Sequence, residues 1–280
     1  MTKVYLCSFA SPDLKISVNT FIKQSKALNF YNEVKVFGWD DLSQNKQEQI
    51  LSFFKKGQKR LFGYASWKPE VILSYLSEIP KNSILQYSDI GCFFNSKGLK
   101  RLNDYVKIVE KTDILAFKYN KPNFNLKKNF KFQIYYEHQY TKADAWKYLN
   151  IDDNSQILKT EQIWSGTIFL KNNAYVKKIL NKWISICKIN NLIDDSKSVK
   201  KNHKNFIEHR HDQSIFSMIC KENKVHYLSA SECEWAEFKN KRTWVHLDNY
   251  PILAKRNKKF NLFTRFVLRQ KKTIKRLLKI

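Results

Sequence analysis

Residues 84–95, Ile-Leu-Gln-Tyr-Ser-Asp-Ile-Gly-Cys-Phe-Phe-Asn, run an apolar stretch into a single carboxylate and a glycine before apolar residues resume. Such a stretch suits a buried strand. A carboxylate at the carboxyl end of that strand falls in the crevice where open α/β sheets hold ligands. Gly91 beside it leaves room for backbone or substrate to approach. Taken alone, the segment fits an ordinary strand-to-loop aspartate somewhat better.

The residues around it place that strand in a β-α-β succession. Residues 3–9 read as a first strand ending in the polar turn Ala10-Ser11-Pro12-Asp13, and 14–29 as a helix. Residues 33–38 read as a second strand closing on Gly38, and 44–56 as another helix. A loop over 62–69 then feeds a helix over 70–77, with Pro69 in its first turn. Further on, 143–149 reads as a helix with Thr141 as its cap, 164–170 as a turn entering a strand, and 212–221 as a helix. The expected architecture is a single α/β domain with a central mixed sheet over residues 1–254, followed by a separate tail over 255–280.

The tail stands apart by its charge. The chain carries 51 Lys and Arg against 25 Asp and Glu, a net +26 over 280 residues. The last 26 residues supply +11 of this without a single acid. From residue 260, Phe260, Phe263, Val267, Ile274, Leu277 and Leu278 recur at spacings of three, four and seven, while Arg265, Arg269, Lys272, Arg276 and Lys279 take the other faces. A basic amphipathic helix of this kind lies on an anionic membrane, each basic residue adding about 1 kcal/mol. Packing on the domain with a solvated basic face is the plainer alternative. The remaining charge calls for an anionic partner such as a nucleotide phosphate, an acidic lipid headgroup or nucleic acid.

Five widely spaced cysteines without a C-x-x-C pair, and no secretory signal, lead us to expect a reducing cytoplasm. No window approaches the roughly 20 apolar residues of a membrane span. We therefore expect a cytoplasmic protein lying peripherally on the inner face of the cytoplasmic membrane.

Four segments carry a resemblance when taken in order: Gly63-Tyr64-Ala65-Ser66-Trp67-Lys68-Pro69, Tyr87-Ser88-Asp89-Ile90-Gly91-Cys92, Trp164-Ser165-Gly166 and His209-Arg210-His211-Asp212-Gln213-Ser214. Together they resemble bacterial glycosyltransferases of the GT-A type that build surface polysaccharides, capsule or lipopolysaccharide. The resemblance covers roughly residues 1–250. It implies a nucleotide-sugar donor on the N-terminal half, a lipid-linked or lipooligosaccharide acceptor on the C-terminal half, and transfer between them. The donor would be met by Ser8, Phe9, Tyr64, Trp67, Lys68, Asp89, Gly91, Ser165 and Gly166. The acceptor would be met by Trp164, His211, Gln213 and Lys142, and Asp212 and Asp89 would be the catalytic carboxylates.

The leaving diphosphate needs neutralising, and hard cations prefer carboxylate oxygens. GT-A enzymes use Asp-x-Asp for this, and here Gly91 stands where the second Asp would be. The resemblance thus implies Mn or Mg on Asp89, with His246 as the analogous second ligand, or basic residues in the metal's place. For Asp212, capping of its helix is the competing reading. For Trp164 it is burial at a strand start. Among other function classes, a basic nucleic-acid-binding protein is disfavoured by the order of the motifs, and a GT-A-like fold with lost or phosphate-group transferase activity stays open.

Overall fold

The computed structural model describes residues 2–122 and 130–255. The amphipathic helix expected from residue 260 lies outside them. A six-stranded sheet runs through the middle in the spatial order Glu33–Phe37, Val4–Phe9, Ile84–Ser88, Ile163–Lys171, Ile114–Lys118, His226–Ser229. Five of its strands are parallel to one another, and Ile163–Lys171 alone runs against its two neighbours. The expected mixed sheet is present.

The first strand shows why the sheet is buried on both sides. Tyr5, Cys7 and Phe9 point to one core and Val4 and Leu6 to the other, as a period of two requires. On the first face, Ile72, Tyr75 and Leu76 of helix Lys68–Glu78 meet Ile179, Leu180 and Trp183 of helix Ala174–Cys187 and Ile215 and Phe216 of helix His211–Glu222. On the second, Phe21 of helix Lys15–Ala27 and Leu102, Tyr105 and Val109 of helix Leu99–Thr112 cover Leu6, Phe117 and Phe169. Caps fix where two of these helices start. Asn173 accepts the Val176 amide at 2.9 Å and Ser43 accepts that of Lys46 at 3.3 Å.

Two features of this topology position the site. The chain leaves the first strand for one neighbour and comes back to the other, so the carboxyl ends of Val4–Phe9 and Ile84–Ser88 flank a topological switch point. The reversed strand Ile163–Lys171 brings its amino-terminal end to that same edge, pairing Ser88 with Thr167. The next step of the ladder has the Asp89 amide donating to the Gly166 carbonyl at 2.8 Å. The turn after Asp89 closes from Cys92 N–H to Asp89 O at 2.8 Å, and the chain then pairs Phe93–Phe94 with Ile252–Leu253.

The expected loop over 62–69 is a more unusual structure. Leu61, Phe62, Gly63, Tyr64 and Ala65 all have φ between 49° and 82°, a complete left-handed turn held by Tyr64 N–H to Arg60 O and Ala65 N–H to Leu61 O. Left-handed helix costs about 1–2 kcal/mol per non-glycine residue. Aromatic packing holds the turn in place: Phe62 meets Trp39, Phe54 and Phe9, and Tyr64 meets Phe53. At Gly63 a Cβ would lie 2.7 Å from Ile50 Cγ1, so glycine is required there twice over.

All five cysteines are buried free thiols. No helix among the described residues is long and apolar enough to cross a membrane.

Candidate functional site

The left-handed turn delivers Lys68 as the first residue of its helix, and the switch point delivers Asp89. The start of helix His211–Glu222 delivers Asp212, and the reversed strand delivers Ser165. These four converge. Lys68 Nζ lies 2.9 Å from Asp212 Oδ2 and 3.3 Å from Asp89 Oδ1. It also donates to Ser165 Oγ and to the Ser165 carbonyl at 3.2 and 3.3 Å. Ser165 Oγ in turn donates to Asp212 Oδ2 at 2.8 Å, and Tyr87 O–H donates to Asp89 Oδ1 at 2.8 Å.

Burial grades the cluster from inside to outside. The Lys68 and Asp212 side chains are each 4% exposed, while that of Asp89 is 44% exposed. Burial opposes charge on Lys68, but the two carboxylates outweigh it and hold the ammonium above its ordinary value. For Asp212, burial lifts the carboxyl above its usual range, with the Lys68 ammonium pulling the other way. Two carboxylates sharing one ammonium account for both directions. Asp212 does not cap its helix, since its carboxylate is spent on Ser165 and Lys68 and leaves Oδ1 unbonded among the described residues. Asp89 likewise keeps Oδ2 unbonded. One buried ammonium is thus flanked by two carboxylates, each with a spare oxygen.

The other expected donor residues are mostly buried. Phe9 and Trp67 stack at 3.9 Å and are buried, as are Ser8 and Tyr64. Ser8 Oγ has no hydrogen-bond partner among the described residues. Gly91 sits in the turn after Asp89, without the left-handed conformation that would demand glycine. At Gly166 a Cβ would lie 2.2 Å from the Trp164 indole, so glycine makes room for that ring.

The expected acceptor residues divide. Gln213 Nε2 donates to Gln162 Oε1 at 2.8 Å. Gln162 belongs to a buried network around Glu137, which also takes the Lys221 ammonium at 2.8 Å. His211 donates from Nδ1 to the Ile193 carbonyl at 2.7 Å, its ring packed on Tyr64 at 4.7 Å. Burial holds His211 neutral, pushed down to about 4. Its Nε2 is buried without a hydrogen-bond partner among the described residues and lies 3.7 Å from Asp195 Oδ1. Lys142 is buried and committed, its Nζ binding the Asp194 carbonyl at 3.1 Å and Asp194 Oδ1 at 3.3 Å. Lys142 therefore braces a loop, because its ammonium has already found its partner.

For a cation, Asp89 is the exposed carboxylate of the cluster, that of Asp212 being buried. No group of three or more His, Cys, Asp or Glu among the described residues is arranged around a metal position. The expected second ligand, His246, directs Nε2 between the carbonyls of Ser231 and Glu234, each 3.1 Å away, and its ring packs on Phe130 and Phe132. His246 Nδ1 is buried with no hydrogen-bond partner among the described residues. Asp89, exposed and with a free oxygen, matches the way Mg²⁺ is usually held, by one or two carboxylates with substrate phosphates and water completing the shell.

Sequence reasoning missed the bridging geometry of Lys68, and it left Asp195 as one of several conceivable carboxylates, with Glu137, Asp144, Asp194 and Asp212, without choosing among them. The Asp194-Asp195 pair carries no spacing signal, and only the folded loop sets Asp195 against His211.

No protein-family profile matches the chain, and no curated sequence does. Among solved structures, it is similar to a glycosyltransferase involved in the glycosylation of the major capsid of PBCV-1, at 8% identity and TM-score 0.46, over 90% of this chain and 93% of that one. It is similar to mouse xyloside xylosyltransferase 1 at 11% identity and TM-score 0.40, over 83% and 87%. It is similar to galactosyltransferase LgtC in complex with donor and acceptor sugar analogs at 11% identity and TM-score 0.41, over 82% and 75%. At such identities and TM-scores these likenesses assign neither a family nor an activity.

Proposed function

We propose that the protein is a glycosyltransferase that moves a sugar from a nucleotide-sugar donor to a growing glycan. The observation that carries this reading is the Lys68 ammonium held between Asp89 and Asp212 at the switch point of an α/β sheet. In the transfer, the bond from the anomeric carbon to the diphosphate oxygen breaks with its electron pair leaving on the diphosphate, a bond to an acceptor hydroxyl oxygen forms, and the proton lost by that hydroxyl is taken up by the released diphosphate.

The cluster's own charge sets the roles. With one ammonium between two carboxylates, the site carries excess negative charge, and a diphosphate docks there only with a cation of its own. Asp89 Oδ2 is the anchor for Mg²⁺ or Mn²⁺, which when bound would neutralise the leaving diphosphate. Lys68 is a positioning residue, fixing both carboxylates within a few ångströms of each other. Asp212 Oδ1 contacts the reacting sugar, and Ser165 keeps the opposite oxygen occupied. The acceptor we assign is a lipid-linked or lipooligosaccharide glycan of a bacterial surface polysaccharide, reached at the inner face of the cytoplasmic membrane. The basic, amphipathic pattern of residues 260–279 supports that location.

A thermal-shift screen of nucleoside diphosphates and sugar nucleotides, each with Mn²⁺, with Mg²⁺ and with chelator, tests the reading. A ligand bound only by the folded state at a hundred times its Kd stabilises by about 2.7 kcal/mol. The expected result is a shift with one nucleotide class that chelator abolishes. No shift with any of them sinks the transferase reading. A shift that survives chelator removes the metal from it.

A further inference from the structure

At the head of the left-handed turn, the chain meets the long connection between helices Asn190–Ile193 and His211–Glu222. Arg60 ties the two together, its guanidinium 3.3 Å from Asp195 Oδ1 and 2.9 Å from Glu208 Oε2. The other Glu208 oxygen faces Arg210 at 3.5 Å. Asp195 and Glu208 are the two acids over residues 55–61 and 195–208, against eight basic side chains. With both acids taken up by arginines, the seven lysines of these segments are exposed and have no ion-pair partner among the described residues.

Aliphatic side chains stand on the same two segments. Val199 is 83% exposed and Ile207 61%, the two most exposed large apolar residues among those described, and Leu61 is 51% exposed. A single exposed aliphatic is ordinary on a protein surface. Three of them, on two basic segments joined by one arginine, call for an apolar partner that also carries negative charge. Both backbones are held in place. Phe62 and Tyr64 anchor the turn through Trp39 and Phe53. In the connection, the Asp144 carboxylate accepts from Val199 N–H at 3.0 Å and Lys200 N–H at 2.8 Å, and Asn202 Oδ1 accepts from Ala143 N–H at 2.7 Å. The Gln139 carbonyl takes Ile207 N–H at 2.8 Å. Side chains carried on fixed backbone dock without the cost of ordering it.

Ammonium groups alone would suit nucleic acid as well as lipid. Proteins that track a nucleic-acid backbone add aromatic rings on which bases stack, whereas the exposed apolar side chains here are aliphatic. Lysines around aliphatic tips match an anionic bilayer, where the ammonium groups meet headgroup phosphates and the tips enter the boundary with the acyl chains.

We propose that residues 55–61 and 195–208 form a docking surface for an anionic lipid bilayer, with Leu61, Val199 and Ile207 entering its interfacial layer. The surface belongs to the folded domain, apart from the tail, and does not depend on the chemistry at Lys68. All five native cysteines are buried. In the full chain, Val199→Cys and Leu61→Cys therefore each supply one thiol open to the environment-sensitive fluorophore NBD. The probes are vesicles of phosphatidylcholine mixed with phosphatidylglycerol, vesicles of phosphatidylcholine alone, and a single-stranded oligonucleotide.

The expected result is a brighter, blue-shifted emission at both positions with the anionic vesicles and with neither other probe, quenched by spin-labelled acyl chains. A label placed by Tyr227→Cys, on the edge strand His226–Ser229, should not respond. Lys59→Gln, Lys200→Gln and Lys201→Gln should each weaken co-sedimentation with the anionic vesicles about fivefold, the share of one lysine near a charged surface. Silent labels at 61 and 199 in a protein that sediments with the vesicles overturn the proposal, as does an equal response at Tyr227. Failure to bind vesicles, or a response to the oligonucleotide in their place, overturns it too. A protein that ignores vesicles yet melts later with nucleotide loses this surface and keeps the transferase reading.

Discussion

Lys68 carries the densest set of interactions in the site, and its removal separates structure from chemistry. Without its ammonium, the buried Asp212 carboxylate faces Asp89 uncompensated. Breaking a buried pair from one side costs about 3–5 kcal/mol. Lys68→Met should therefore lower stability by about 3 kcal/mol in urea unfolding, and adding Asp212→Asn should restore part of that loss instead of adding to it. Additive losses would mean that the two groups do not form the pair the structure draws. The four segments that carried the resemblance contain Lys68, Asp89, Ser165 and Asp212, so the members of this cluster were legible as residues. Their mutual arrangement was not, because a lysine read along the chain gives no sign of which carboxylates it will meet. Gly166 teaches the same lesson in reverse: the sequence marks it as small, and only the folded chain says that the Trp164 indole is what it is small for.

At the scale of elements, the strands over 4–9 and 84–88 and the helices over 44–55 and 143–148 were readable from apolar spacing and caps. The left-handed turn was not, since four of its five residues have side chains that ordinarily avoid that conformation. Its strain gives a stability test. Leu61 is about half exposed and sits at φ 49°, so glycine there relieves the backbone at little cost in packing. Leu61→Gly should stabilise the protein by roughly 0.5–1 kcal/mol, relief of strain less the extra entropy of the unfolded chain. A lowered denaturation midpoint would show that Leu61 contributes packing its exposure hides. The direction of strand Ile163–Lys171 was equally unreadable, because the period-two pattern of a strand is the same read either way.

For the molecule as a whole, acid should be the weak side. His209 and His211 are buried neutral, His209 well below its ordinary value and His211 at about 4, burial being the chief cause for both. Around His211, Arg60 opposes protonation, while Asp195 and Glu208 favour it. Both groups regain protons on unfolding once the pH drops below 6.5, so the unfolded state binds more protons there. The stability they contribute is complete above that value and is lost as pH falls towards 4. For His211 alone, this amounts to about 3 kcal/mol. Melting temperatures taken from neutral pH down to about pH 5, where ordinary carboxylates are still ionised, should fall steadily. A flat profile over that interval would mean that the two rings are more open to water than their burial indicates.

The reversed strand at the centre of the sheet also sets the order of events during synthesis. Ile84–Ser88 and Ile114–Lys118 flank it on either side and reach each other only through it. From the time residue 118 leaves the ribosome until residue 171 follows, both strands hold an unpaired edge. The nascent chain thus passes through a stage in which two core strands are open to any passing β-strand, and on which an edge-binding chaperone would act.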